Sequence, residues 1–161
     1  MDTAYLIDLI QESLYLIIVF GAFTVFAMAR GRQSLINLIM GLYLALLVSI
    51  QFPYYDALLG STESARSEAL LKIILFAAFT VAATYLFARL MPREYDEAAF
   101  EGLGKKLIFA AMATILVMAF SFHVLPVTEF IQPGTPIQSL FASADNFFFW
   151  LMLPLIGLFF L

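Results

Sequence analysis

Five stretches of this chain carry no Asp, Glu, Lys or Arg: residues 13–29, 34–55, 73–88, 107–123 and 147–161. Short polar runs separate them. A bilayer core about 30 Å thick takes roughly 20 residues of helix at about 1.5 Å each. The pattern predicts an all-α integral membrane protein with about five transmembrane helices, over about residues 8–29, 34–53, 69–90, 107–125 and 146–161. Residues 1–161 then form a single membrane domain.

Turn residues punctuate the pattern. Arg30-Gly31-Arg32 is so short that the first two spans must form a tight antiparallel hairpin, with Gly31 relieving the backbone. Pro53 is expected to stop the second span, with Tyr54 and Tyr55 as interfacial anchors. The polar run 60–68 leads into the third span. Pro92 breaks that span, and the middle of 92–106 predicts a short interfacial helix closed by Gly102 and Gly104. Pro126 ends the fourth span. After a turn at Pro133-Gly134 and Pro136, Ile137, Leu140 and Phe141 recur at helical spacing. This predicts a short in-plane helix, up to Asp145, lying flat on the outer surface before the last span. That last span is short, about 22 Å by the helical rise. Trp150 anchors its outer end, and Pro154 is expected to bend it.

Composition narrows the function. With 63% hydrophobic residues and a mean hydropathy of +0.98, little chain is left for a domain outside the membrane. The net charge of −4 and the lack of a basic tail argue against nucleic acid as a partner. With no Cys, disulfides, thiolate metal sites and thiol catalysis are excluded. The opening MDTAYLIDLIQE is not basic, so a cleavable signal peptide is not expected. A carboxylate in hydrocarbon is costly, so the end at Leu161 is expected to reach the interface or to continue in a polar tail.

The basic residues set an orientation. Arg30, Arg32, Arg89, Arg93, Lys105 and Lys106 lie on one side, and Arg66 and Lys72 on the other. Lys and Arg mark the cytoplasmic side, so the chain is expected to run N-out and C-in.

Few groups inside the spans can carry chemistry. Asp8 and Glu12 in the first span, Gln51 in the second, Lys72 in the third and His123 in the fourth fall at one level near the outer surface. Asp8 and Glu12 share a face at i, i+4 spacing. One reading is an outward-facing polar vestibule with Lys72 paired to Glu12 or Asp8, since intramembrane charges often line a path. The other is local satisfaction. Lys72 snorkels to the interface or pairs with Glu68 four residues before it, while His123 bonds to a neighbouring helix. No cofactor or metal is expected, because His123 with Asp8, Glu12 or Glu129 has no ligand spacing. Ser121 and His123 are two residues apart and point to different faces of a helix. Gly102-Leu-Gly-Lys-Lys106 lacks the full phosphate-loop spacing. Small residues recur four apart at Ala78 and Ala82, Thr80 and Thr84, and Ala110 and Thr114. That spacing permits close approach, between the third and fourth spans of one chain or between copies.

The segment 14–59, with Ala29-Arg30-Gly31 after a short span and a second span ending at Pro53 in an aromatic cluster, resembles the start of the bacterial colicin V production protein family. The resemblance implies a role in export or envelope maintenance. The later spans depart from it, lacking that family's glycine-rich character and adding a fifth span. The expected function is that of a small, non-enzymatic, multi-pass protein of the bacterial inner membrane. Its partners would be the lipid bilayer and itself or other membrane proteins. The alternative is an oligomeric channel or transporter with the polar vestibule as its mouth.

Overall fold

The structure, a computed structural model, describes residues 3–60, 64–91, 102–126 and 136–160. Seven helices follow one another there: α1 (Thr3–Arg30), α2 (Arg32–Ile50), α3 (Tyr55–Leu59), α4 (Ala65–Leu90), α5 (Leu103–His123), α6 (Pro136–Ala142) and α7 (Ala144–Phe160). The described residues contain no strand. Four helices, α1, α2, α4 and α5, are long and apolar enough to cross a membrane. The apolar α7 is shorter, at 17 residues.

The connections follow from their residues. A single residue, Gly31, separates α1 from α2. Its φ of 80° lies in the left-handed region that glycine enters without a side-chain clash. At the far end of α2, Ser49 Oγ and Tyr55 OH are 2.6 Å apart. The Phe52 ring packs against Tyr54, Tyr55 and Phe79, which ties the α2–α3 turn to α4. Ser64 caps α4, its hydroxyl accepting from the Ser67 N–H at 3.3 Å. Glu68 in the first turn complements the helix dipole.

Packing centres on α2 and α5. α2 lies along α4, and α5 touches α1, α2, α6 and α7. Leu35, Ile39, Leu42 and Ala45 of α2 meet Phe109, Ala113, Leu116 and Phe120 of α5 in one buried cluster. Phe76 of α4 joins it edge-on to Phe120, ring centroids 5.8 Å apart. The α2–α4 contact is close enough to bring backbone to backbone. A Cβ on Gly41 would stand 2.4 Å from Thr84 Oγ1, 2.9 Å from its N and 3.0 Å from its Cα. Thr84 Oγ1 is buried without a conventional hydrogen-bond partner.

Two expectations are corrected here. Ala78 and Ala82 are exposed, and α4 buries Ala69, Phe76, Thr80 and Ala83 instead. The small pair therefore does not join α4 to α5. Four-residue spacing shows that a face can be approached, not which face a neighbour takes. α2 takes the side of Thr80 and Thr84 because Gly41 has no side chain there. Ala110 and Thr114 are buried in α5. The second correction concerns where the short helix expected before the last span ends. α6 stops at Ala142, and the Ser143 carbonyl accepts from the Asn146 and Phe147 N–H groups, each at 3.1 Å, opening α7. Asp145 belongs to the first turn of α7. Phe141, on the apolar face expected of that short helix, is 5% exposed and packs against Met118 and Ala119.

Candidate functional site

Of the residues expected at one polar level, Lys72 finds its partner within its own helix and His123 finds one on α6. Lys72 Nζ lies 2.7 Å from Glu68 Oε1, one turn back on the same helix. The two side chains are 35% and 42% exposed, so solvent screens the pair. Gln51 sits in the turn after α2 and is exposed. The side chains of Asp8 and Glu12 lie outside the described residues, as do Glu129 and the interfacial helix expected within 92–101.

His123, in the last turn of α5, reaches α6. Its Nε2 is 2.8 Å from the Phe141 carbonyl oxygen. A carbonyl can only accept, so Nε2 carries the proton and donates. The imidazole lies 4.1 Å from the Phe147 ring of α7. Beside it, Trp150 Nε1 donates to the Leu140 carbonyl at 3.0 Å, and the Trp150 and Phe141 rings are 4.7 Å apart. The last carbonyls of a helix have no partner within it. α6 is short, and His123 and Trp150 take up two of these from either side. Sequence reasoning placed Trp150 as an interfacial anchor; its indole N–H also caps α6.

Four hydroxyls along the bundle are bonded within their own helices. Thr24, Thr80, Thr114 and Ser121 donate to the carbonyls of Phe20, Phe76, Ala110 and Val117, four residues back, at 2.8–2.9 Å. Ser121 has one proton, and it goes to Val117. The Tyr15 hydroxyl, 2.8 Å from Ser121 Oγ, is therefore the donor that ties α1 to α5. Ser121 is committed on both sides and is not arranged as a nucleophile for His123.

Tyr43 carries a further link that the sequence did not single out. From α2 it donates to the Leu151 carbonyl of α7. A tyrosine in a long apolar run is the only sequence signal for this bond, and nothing in the run names its partner.

The opposite end carries the buried Asn37, whose Oδ1 accepts from Gln33 Nε2 at 3.4 Å. Gln33 Nε2 is also 3.5 Å from the Met91 sulfur at the end of α4. Among the described residues, no group of three His, Cys, Asp or Glu side chains is placed to hold a metal ion. The arrangement positions helices against one another. Comparison with protein-family models, with curated proteins and with solved structures finds no match to this chain.

Proposed function

We propose that this chain is a small non-enzymatic protein of the bacterial inner membrane, N-out and C-in, acting as an accessory component of an envelope or export process. It would act by binding other membrane proteins or copies of itself through its outer helices, with α7 as a fifth, short span. The observation that carries this reading is the filled core. Phe109, Leu116 and Phe120 are fully buried between α2 and α5, and the hydroxyls of Thr80, Thr114 and Ser121 are bonded to their own helices. A conducting monomer would need a continuous polar path there. The exposed apolar side chains of α1 and α4, among them Ile17, Val25, Ile74 and Val81, suit lipid or a partner helix. The resemblance of residues 14–59 to the colicin V production family favours an export or envelope process over metabolism.

Three single-cysteine variants test the orientation, at Ser61, Gln138 and Gln33, with an impermeant thiol reagent on intact cells. Positions 61 and 138 should label and 33 should not; the reverse would sink the assignment. Ion flux in proteoliposomes tests the accessory reading. No flux above empty vesicles is expected. Flux through the wild type, abolished by substitution at Lys72 or Glu12, would replace it with the oligomeric channel.

A further inference from the structure

The two ends of the bundle treat their cations differently. At the end where α4 begins, Lys72 is bonded to Glu68 at 2.7 Å, and Arg66 also has an interaction. At the end where α1 and α4 finish and α2 and α5 begin, Arg30, Arg89 and Lys105 are exposed. None of these three side chains has a hydrogen bond or ion pair among the described residues; Arg32 and Lys106 nearby do have interactions.

Their levels can be worked out from contacts. Tyr15 and Ser121 are hydrogen-bonded, which aligns α1 with α5. Arg30 lies 15 residues further along α1, and Lys105 lies 16 residues back along α5. At about 1.5 Å per residue both are displaced by about 22–24 Å in the same direction. The Gln33–Met91 contact aligns the start of α2 with the end of α4, and Arg89 precedes Met91 by two residues. Arg32, at 5.6 Å over the Phe109 ring, aligns the starts of α2 and α5. The three cations therefore share a band about one helical turn deep, at the end of membrane-length helices, which is the headgroup level.

Charge at this end is positive overall. Counting the connecting segment 92–101, with its one Arg and four acids, the end carries six bases and four acids, a net +2. The opposite end carries the remaining −6 of the chain's −4. Arg30 and Arg89 lie in last helical turns, where the dipole favours cations. Lys105 lies in the first turn of α5, where it does not, and that turn holds no acid.

We propose that Arg30, Arg89 and Lys105 form a binding surface for the phosphate of anionic phospholipid headgroups. This goes beyond the accessory reading and does not depend on it. It requires only that the helices cross a membrane. Cations at the surface of an anionic leaflet gain from its phosphates, and the lipid supplies the counter-charge that Lys105 lacks within its own helix.

The test uses the full chain in neutral detergent with equimolar phosphatidylglycerol and phosphatidylcholine, bound lipid being counted by native mass spectrometry. The wild type should retain phosphatidylglycerol on the order of tenfold over phosphatidylcholine. Arg30→Gln, Arg89→Gln and Lys105→Gln, all at exposed positions, should each lower that preference about two- to fivefold. Lys72→Gln at the other end should leave it unchanged. Excess inorganic phosphate at constant ionic strength should not displace the lipid. Equal retention of the two lipids would mean that the acids of 92–101 already satisfy these cations, and would overturn the proposal. So would an equal loss in Lys72→Gln, or full displacement by inorganic phosphate, which would make the site one for a free anion.

Discussion

The inner helices α2 and α5 and the outer helices α1 and α4 are nearly equal in hydropathy, yet their burial differs severalfold. Of their membrane-length windows, 44% and 50% of residues are buried in α2 and α5, against 6% and 11% in α1 and α4. Hydropathy did not sort them, because lipid is as apolar as a leucine side chain and gives no hydrophobic drive between helices. Shape sorted them. α2 presents Gly41, Ala45 and Ser49, and α5 presents Ala110, Ala113 and Ala119, all buried. These small residues let neighbours approach and leave room for Phe109 and Phe120 to fill the space between. On α1, a Cβ at Gly21 would meet nothing within 4 Å.

The contrast breaks most visibly in the core. Phe120, fully buried against Tyr43 and Phe76, should cost about 3–5 kcal/mol when replaced by Ala. Val81→Ala on the exposed face of α4 should change stability by less than about 0.5 kcal/mol. Reversible unfolding in bicelles would measure both. Comparable losses would mean that the outer face of α4 is covered in the folded state.

The two glycines sharpen the same point at smaller scale. Gly41→Leu would drive a side chain into the Thr84 backbone and should cost about 1–3 kcal/mol, more if α4 separates from α2. Gly21→Leu should be tolerated, since its position is open. A cysteine pair across the α2–α4 crossing would report the separation as lost disulfide formation. Unchanged cross-linking in Gly41→Leu would show that the close approach is not required.

The smallest effect is expected at Lys72. Its pair with Glu68 is half-exposed, and such pairs contribute about 0–1 kcal/mol, so Lys72→Leu should be close to neutral. A loss above about 2 kcal/mol, restored by Glu12→Gln, would instead indicate a buried pair across helices and would revive the polar vestibule.

The charge-free runs were readable because helix length and bilayer thickness impose them locally. Residues 73–88 fall within α4 and 107–123 within α5, without reference to any neighbour. The one-residue turn at Gly31 was readable for the same reason: two helices so close in the chain leave the backbone one solution. The local partner of Lys72 was also within reach, because i, i+4 spacing holds wherever the helix goes. The fate of Ala78 and Ala82 was not readable. Rotating α4 about its axis changes which side meets α2 and leaves every local preference intact.

The same limit holds across the molecule. Helix existence, approximate length and the separation of basic from acidic ends are properties of single segments, set by propensity, hydropathy and sequence position. Which hydroxyl caps which carbonyl is a property of pairs. Tyr43 meets Leu151 across 108 positions, and Tyr15 meets Ser121 across 106. His123 and Trp150 both close on α6 from helices that do not contain it. In a bilayer every helix can satisfy its backbone alone. Partner choice therefore rests on side-chain volume and a few hydrogen bonds, and these meet only when the helices are packed.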